Sequence, residues 1–252
     1  MNTKSSKKNE YDSLGQALKN KDFKILLSDL KGYSEESWEI LKEHQHELPS
    51  ELDKLLLYIP EFIINNDGSI DKEAFEVVNL ILSNGANPNA SFKNLITPFM
   101  MACTINNIDF VKCLLDSKYI KPNILQGDAG GNNSLYYAVR SESVDIIDLL
   151  IKEYNVDINK QYLLTNNKTM FHQACAEGLE NSIKKLIELN VNPNLRDDYD
   201  NLACELIPCF DEEIHSPGDI PKSKLVLWDS LFELTKDYTE SYTPEKSKKL
   251  SL

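Results

Sequence analysis

The sequence ITPFMMA at residues 96–102 recurs along the chain at a nearly constant spacing. NNSLYYA stands at residues 132–138, KTMFHQA at 168–174, and a weaker copy, NLACELI, at 201–207. The copies end at residues 102, 138, 174 and 207, so the intervals are 36, 36 and 33. Self-similarity at a fixed period is typical of repeat proteins, in which each unit packs on its neighbours. The sequence therefore predicts a stack of repeated units.

Each copy is followed by a second apolar segment and then by a polar loop. The apolar segments lie at residues 108–115, 144–151 and, more weakly, 180–187, with a further one upstream at 75–82. The loops read GANPN at 85–89, NVDIN at 155–159 and NVNPN at 190–194, and a looser version covers 118–123. Apolar residues at helical spacing bury one stripe of a helix against its neighbours. Each unit is therefore predicted to be a pair of helices.

The ends of the predicted helices carry suitable residue types. Thr97 and Thr169 can cap the first helix through their hydroxyls, and Pro98 fits the first helical turn. Small residues let paired helices approach closely, and the copies place alanine at 102, 138 and 174.

The polar loops also have residue types with a physical role. A left-handed residue that ends a helix is expected at Gly85, Asn155 and Asn190. Side-chain hydrogen bonds that tie down the following turn are expected from Asn89, Asn123, Asn159 and Asn194.

These residues resemble the ankyrin repeat, whose pattern is a Thr-Pro-Leu-His-x-Ala helix, a second helix and a Gly-Ala-Asp-x-Asn hairpin. The resemblance covers about residues 74–207, although Thr-Pro occurs only at 97–98 and the histidine only at His172. The hairpin loops around Gln126 and Gln161 are longer than the family's. The resemblance implies an all-α, right-handed solenoid of about four to five helix pairs with short hairpin fingers.

The chain is expected to divide into five parts. Residues 1–10 and 240–252 are predicted to be disordered. Residues 11–70 form an N-terminal helical cap and a helical insertion, residues 71–210 the repeat core, and residues 211–239 an acidic loop and a C-terminal capping helix. Such end caps keep a stack of repeats soluble.

The helical insertion has two interpretations. Helices are predicted over residues 35–47 and 50–65, with Ser50 and Asp53 capping the second and Pro60 kinking or shortening it. The insertion either supplies the first helix of the unit that begins near Phe75 or forms a side lobe, and the sequence leaves both open.

The C-terminal helix is predicted over residues 222–238. Leu225, Trp228, Leu231 and Phe232 lie on one stripe, which favours packing on the last repeat. The alternative is a detachable element that docks a partner.

The chain is acidic, with a net charge of -13. Residues 197–240 contain twelve acidic and three basic residues. Such a surface repels phosphate backbones, so we expect no nucleic-acid partner. It favours a basic protein partner through electrostatic steering, or serves only as a solvated face that aids solubility.

The cellular setting is inferred from the cysteines and the apolar segments. No stretch approaches the apolar length of a membrane helix, and no apolar core follows the basic N-terminus. The five cysteines fall in apolar helical patterns and are all interpreted as buried, reduced thiols. We therefore expect a cytoplasmic protein, monomeric when free, that does not bind membranes.

The sequence does not support a calcium, zinc or phosphate-binding site. Residues 65–71 resemble part of a calcium loop, but the first and twelfth ligand positions are Ile63 and Ala74. His172 with Cys175, or Cys204 with Cys209 and His215, lack the short paired spacing of zinc sites, and His172 stands at the family's structural position. Gly130-Gly131 is a hairpin turn, not a phosphate loop. We expect no metal, no cofactor and no enzymatic activity.

The resemblance implies a partner bound on the concave face, at the finger tips and the exposed ends of the first helices. The matching residues here are Lys93, Asn94, Ile96, Thr104, Ile105, Asn132, Arg140, Ser141, Lys168, Glu177, Asp198 and Tyr199. Tyr and Arg often carry binding energy at interfaces.

The leading hypothesis is a non-enzymatic protein-recognition module, an adaptor or scaffold. One alternative is a regulator or inhibitor of a partner enzyme. Another is an effector secreted into the cytosol of a host cell, suggested by the polar tail that ends KKLSL at residues 248–252. An enzyme built around His44, His46 and Glu47 is disfavoured, because no nucleophile–base pair accompanies them.

Overall fold

The computed structural model describes residues 16–17, 19–20, 22–42, 50–62, 72–162, 165–208 and 222–242. Within these ranges the chain forms eleven α-helices, and its β-type pairing is limited to two isolated bridges, Tyr162 with Lys168 and Arg196 with Leu202. The predicted all-α class is therefore confirmed. The chain divides into two compact units, Met1–Ile124 and Leu125–Leu252.

The helices of the first unit are α1 (Phe23–Lys31), α2 (Glu35–Lys42), α3 (Glu51–Phe62), α4 (Lys72–Ser83), α5 (Pro98–Ala102) and α6 (Ile108–Leu115). Those of the second unit are α7 (Ser134–Arg140), α8 (Val144–Lys152), α9 (Met170–Glu177), α10 (Glu180–Glu188) and α11 (Lys222–Ser241). Among the residues that the structure describes, 3-10 turns cover Lys93–Leu95 and Ala203–Leu206. Four fingers, each a short turn before a first helix, lie at residues 92–96, at 127–132, at 162 and 165–168, and at 196–202, and are called the first to the fourth finger in this order.

In the first unit, α3 and α4 form one helix pair and α5 and α6 form the next. α3 packs against both α4 and α5, while α1 packs against α4 and α2 packs against α3. The insertion therefore supplies the first helix of the α3–α4 pair, which decides the question that the sequence left open. Pro60 lies inside α3, and the helix continues to Phe62.

A reciprocal pair of hydrogen bonds starts α3, as the sequence predicts. The backbone N–H of Asp53 donates to Ser50 Oγ over 3.2 Å, and that of Ser50 donates to Asp53 Oδ2 over 2.9 Å. The second oxygen of Asp53 accepts from the backbone N–H of Asn87 at 2.7 Å. One buried carboxylate thus joins the start of α3 to the loop after α4.

In the second unit, α7 with α8 and α9 with α10 form two consecutive pairs. α7 packs against α9, α8 against α10, and α9 against the turn Ala203–Leu206. The predicted threonine caps are present in both units, since Thr97 accepts from Met100 N and Thr169 from His172 N. The alanines at 102, 138 and 174 are fully buried, which lets these helices approach closely.

The weak fourth copy differs from its prediction. Residues Ala203–Leu206 form a 3-10 turn instead of an α-helix. A turn of this length buries little surface of its own, although Ala203, Cys204 and Ile207 are buried. The turn is covered by α11, which packs against it and against α10.

The C-terminal helix α11 runs three residues past its predicted end. Leu231 and Thr235 are buried, but Phe232 is 39% exposed. The prediction of Phe232 on the buried stripe is wrong, because neighbouring residues in a helix point about 100° apart and the seam follows Leu231, Thr235 and Tyr238.

A tyrosine and a glycine position α11. Tyr238 donates from its hydroxyl to the Val191 carbonyl over 2.6 Å, and its ring meets Phe171 edge-on at 6.4 Å between centroids. Gly178 ends α9 with φ 65°, and Trp228 Nε1 lies 3.0 Å from the place that a Cβ would take there. Gly178 is therefore needed both for its backbone conformation and for space.

The loops after the second helices contain the left-handed residues that the sequence predicts. Gly85, Asn155 and Asn190 have φ of 100°, 52° and 60°. Because this conformation suits glycine and asparagine, it ends each helix at little cost.

The loop asparagines bond differently from their prediction. Asn159 Oδ1 accepts from the backbone N–H of Asn192, 33 residues further on, at 2.7 Å, and Asn89 Oδ1 accepts from that of Asn123 at 2.5 Å. The local turn is instead closed by the residue two positions earlier, as when Asp157 accepts from Asn159 N. These asparagines therefore join successive repeats.

Replacing Asn159 with alanine is expected to lower the free energy of unfolding by about 1–2 kcal/mol, because the half-buried N–H of Asn192 loses its acceptor. Urea denaturation followed by circular dichroism measures the change. Asn194→Ala is the matched control, because Asn194 is exposed and its side chain makes no hydrogen bond within the described residues. Equal losses in the two variants would contradict the bond's role.

Candidate partner-binding surface

Arg140 and Glu177 join the exposed ends of two first helices. Arg140 closes α7, Glu177 closes α9, and Arg140 Nε donates to Glu177 Oε2 over 3.1 Å. The two side chains remain 50% and 29% exposed. An ion pair this accessible contributes only about 0–1 kcal/mol to stability. Its charges are therefore presented to solvent without being needed for folding.

Two tyrosines of α7 lie beside this ion pair. The guanidinium of Arg140 is 5.6 Å from the ring centroid of Tyr136 and donates to its hydroxyl over 3.3 Å. Tyr137 meets Tyr136 edge-on and donates to Asp128 Oδ2 over 2.8 Å. Burial and the hydrogen bond to Asp128 raise the pKa of Tyr137, so the phenol stays a donor. The bond links α7 to the second finger.

The third and fourth fingers are tied to each other. The backbone N–H of Asp198 donates to the Asn166 carbonyl over 2.9 Å, and Asn167 Nδ2 donates to Asp198 Oδ1 over 2.5 Å. Gln161 Nε2 donates to the Arg196 carbonyl over 2.8 Å. Because the two fingers hold each other, less conformational entropy is lost when a partner binds them.

A buried carboxylate shapes the tip of the fourth finger. Asp197 accepts from the backbone N–H groups of Tyr199 and Asn201, each over 3.0 Å. Although burial works against its charged form, these hydrogen bonds lower the pKa of Asp197. The turn leaves Tyr199 69% exposed, more than any other large apolar or aromatic residue that the structure describes.

The predicted binding residues differ in their solvent exposure. In the second unit Arg140, Glu177, Asp198 and Tyr199 are exposed, and Ser141 and Lys168 are half-buried. In the first unit Lys93 and Asn94 are exposed, and Ile96, Thr104 and Ile105 are half-buried. Thr104, two residues past the end of α5, donates its hydroxyl to the Met101 carbonyl of that helix.

Asn132 is the exception, because it is 8% exposed where an exposed finger tip was predicted. Its backbone N–H donates to Asp128 Oδ1 over 2.9 Å, and its Nδ2 donates to Asp128 Oδ2 over 3.2 Å. The longer second finger places Gly130 and Gly131 at the turn, so the chain has already returned inward at Asn132. We therefore exclude Asn132 from the surface.

The sequence missed four residues with accessible or clustered aromatic or apolar side chains. Tyr136 and Tyr137 were assigned to an apolar helical pattern, although they line the Arg140 pair. Leu95 at the first finger and Tyr58 on α3 are 50% and 47% exposed. Comparing the residue types at equivalent positions of successive repeats could have identified these four residues.

The cysteines are mostly buried, as predicted. Cys103, Cys175 and Cys204 are buried, and Cys209 lies outside the described residues. Cys113 corrects the prediction, because it is only half-buried, with its sulfur 3.9 Å from Asn79 Oδ1 on α4. Burial, followed by the charge of Asp116, raises the pKa of its thiol, so it is a poor nucleophile.

Metal ligands do not cluster in the part of the chain that the structure describes. No group of three or more His, Cys, Asp or Glu side chains there could hold an ion. The calcium-like residues 65–71, and Cys209 and His215, lie outside those ranges.

His172 has a structural role in the cap of α9. Thr169 donates its backbone N–H to His172 Nδ1 over 3.3 Å, and His172 Nε2 donates to the Asn201 carbonyl over 3.2 Å. The imidazole thus connects α9 to the fourth finger. Burial lowers the pKa of His172, partly opposed by the Asn201 carbonyl and by Asp197.

Stability is expected to fall as the pH drops below about 6.5, the ordinary pKa of histidine. Below this pH the histidine of the unfolded chain takes up a proton while His172 of the folded chain stays neutral, so protonation favours unfolding. Above about pH 6.5 the histidine is neutral in both states, and the stabilising contribution of folded His172 is complete. Thermal unfolding of wild type and His172→Gln between pH 5 and 8 measures the effect. An identical pH dependence in the two proteins would contradict it.

Consecutive helix pairs that pack on their neighbours and are joined by fingers define a helical-repeat protein. Residues 69–162 match the family model of ankyrin repeats, three copies. Residues 69–162 therefore consist of ankyrin repeats, and such repeats are in general protein–protein interaction modules.

Two relatives match part of the chain. A Borreliella burgdorferi protein named as an ankyrin repeat protein is 35% identical over 79 residues, which is 31% of this chain and 18% of that protein. The human transient receptor potential cation channel subfamily A member 1 is 31% identical over 85 residues, 34% of this chain and 7% of the channel. The chain thus spans less than a fifth of either relative's length.

None of the helices in the described ranges combines the length and the apolar content needed to span a bilayer.

Proposed function

We propose that the chain is a non-catalytic recognition module, an adaptor that holds a partner protein on the concave side of its repeats. In the second unit the contact region is the recognition surface, defined as Tyr136, Arg140, Lys168, Glu177, Asp198 and Tyr199. These residues come from two adjacent first helices and the two fingers beside them. The proposal rests on a single observation: the Arg140–Glu177 pair and Tyr199 are exposed where folding does not require them.

The tip of the fourth finger favours a basic residue of the partner, whereas the guanidinium of Arg140 suits a carboxylate of the partner. Asp198 and Asp200 flank the exposed ring of Tyr199, and residues 197–240 carry twelve acidic and three basic residues. A lysine or arginine of the partner gains both a carboxylate and an aromatic face there. The acidic field also speeds encounter with a basic protein at low salt.

The setting we propose is the cytoplasm, with the chain monomeric before it binds. Cys103, Cys113, Cys175 and Cys204 are free thiols, which suits a reducing compartment. The second helix of each pair is called an outer helix below. The ion pairs on these helices, such as Lys152 with Asp148 on α8 at 2.8 Å, are satisfied within the chain and need no second copy.

Affinity capture tests the proposal. Wild type and Arg140→Glu are immobilised, and proteins held from a lysate of the source cells are identified and their affinities measured. Lys152→Glu is the matched control, because it makes the same charge reversal on the outer helix α8. We expect a partner that binds wild type and the control, binds Arg140→Glu weakly, and loses affinity as salt rises. Equal binding by all three proteins would refute this surface.

A further inference from the structure

The loop that ends α4 contains an asparagine directly before a glycine, at Asn84 and Gly85. This pair occurs once in the chain. In the loops after the outer helices α8 and α10, valine follows Asn155 and Asn190. Because glycine has no side chain, its backbone nitrogen can reach the side-chain amide carbon of the preceding asparagine, whereas a β-branched valine hinders that approach. The loop after α4 therefore has the residue pair best suited to an intramolecular reaction.

The reaction is deamidation, and its only co-reactant is water. The backbone nitrogen of Gly85 attacks Cγ of Asn84, and a C–N bond forms as the bond from Cγ to Nδ2 breaks. The nitrogen of Gly85 gives up its proton, and Nδ2 leaves as ammonia. The product is a five-membered succinimide ring. Water then opens one of the two ring carbonyls, which gives aspartate or isoaspartate and adds one negative charge.

The folded turn opposes this reaction through two hydrogen bonds. The backbone N–H of Gly85 donates to the Leu82 carbonyl over 3.1 Å. Nδ2 of Asn84 donates to the Leu80 carbonyl over 2.9 Å. Gly85, with φ 100°, has the left-handed conformation that ends the helix. Carbonyl groups of α4 therefore hold both the attacking nitrogen and the leaving group.

The turn can open without unfolding of the chain. Asn84 is half-buried and Gly85 is exposed, so water reaches the pair. Hydrogen bonds at the end of a helix break more readily than those in its middle, because fewer contacts hold them. The rate of deamidation is therefore set by the fraction of time for which the last turn of α4 is open.

The product weakens the junction that this loop forms. A carboxylate at the C-terminal end of α4 is repelled by the partial negative charge of the helix end. Isoaspartate also lengthens the main chain by one carbon, which displaces the residues that follow. Ala86 is fully buried, and the backbone N–H of Asn87 donates to Asp53 Oδ1 at 2.7 Å. Deamidation therefore loosens the connection between the loop and the start of α3.

We propose that Asn84 and Gly85 form a modification site, at which spontaneous deamidation proceeds through opening of the last turn of α4. The folded turn slows the reaction without abolishing it. Each event adds a negative charge and lowers the stability of the first unit, so the protein loses stability with age. This site is independent of the recognition surface in the second unit.

The test follows the full chain during incubation at neutral pH, in buffer and in concentrated urea, which opens the turn. Peptide mass spectrometry locates each gain of about one dalton, the change from an amide to a carboxylate. Asn155 and Asn190 are internal controls, since valine follows each of them. Asn84→Gln is the matched variant, because its longer side chain has to close a six-membered ring. Asn84→Asp reproduces the charge of the product, and the melting temperatures of both variants are compared.

We expect Asn84 to be converted before Asn155 and Asn190 in both conditions, and about tenfold or more slowly in buffer than in urea. Asn84→Gln should show no mass gain at this position over the same period. Asn84→Asp should melt about 1–4 °C below Asn84→Gln, since its charge opposes the helix end.

Four results overturn the proposal. Equal rates in buffer and in urea would show that the turn is not the gate. Complete protection in buffer, over a period in which urea converts Asn84 fully, would show that the folded chain is not modified. Earlier conversion of Asn155 or Asn190 would place the site elsewhere, and equal melting temperatures of the two variants would remove the loss of stability.

Discussion

Replacing Phe171 with alanine is expected to lower the free energy of unfolding by about 3–5 kcal/mol. Phe171 is completely buried on α9, and its ring meets Tyr238 of α11. The smaller side chain leaves a cavity where the last full helix pair meets the C-terminal helix. The surrounding side chains fill this cavity only partly. Urea denaturation followed by circular dichroism and by tryptophan fluorescence measures the loss, with Trp228 reporting on α11.

The matched control is the same substitution at an exposed phenylalanine of α11. Phe232 is 39% exposed, so Phe232→Ala should change the free energy of unfolding by no more than about 1 kcal/mol. If the two variants lost equal stability, the packing of α11 on α9 described above would be wrong.

Reversing the charge of Arg140 is expected to weaken partner binding about 30-fold or more, the size of a binding hot spot of about 2 kcal/mol. Arg140→Glu places a carboxylate opposite Glu177 and removes the cation above Tyr136. Folding should change little, because the ion pair is exposed. Isothermal titration of the captured partner measures the affinity, with circular dichroism as the check on folding.

The exchanged double variant Arg140→Glu, Glu177→Arg separates a contact from a mere positioning role. It restores an ion pair between α7 and α9 but inverts the order of charges that a partner meets. We expect its affinity to stay as low as that of the single variant. Recovery of wild-type affinity would mean that only the link between the helices matters.

The repeat architecture follows from local features of the sequence. Threonine caps, the first-turn proline and the left-handed Gly85, Asn155 and Asn190 act within a few residues, so their positions predict helix ends correctly. The capping pair at Ser50 and Asp53 is local as well. Whether α3 joined the stack depended on packing against α4 and α5, which no local pattern specifies.

The errors have equally physical causes. One position along a helix turns a side chain by about 100°, so Phe232 was misplaced although the helix was predicted. Asn132 was misplaced because the tip of a longer finger is decided by Gly130 and Gly131.

Part of the candidate site could be named from the sequence residue by residue, but the network that joins those residues could not. Arg140 and Glu177 were named from their places in separate repeats, while their hydrogen bond spans 37 positions. Tyr137 was missed because its bond to Asp128 depends on how the second finger folds back. Leu95 was missed because the backbone of the first finger turns there with a positive φ, 59°, which the sequence does not reveal.

Hydrogen–deuterium exchange of the full chain, free and saturated with its captured partner, tests the central claim most directly. The account predicts slower exchange in residues 165–168 and 196–202 and at the C-terminal ends of α7 and α9, with α8 and α10 unchanged. Protection confined to α11 or to the outer helices α8 and α10 would contradict it, and would place the partner away from the Arg140–Glu177 surface.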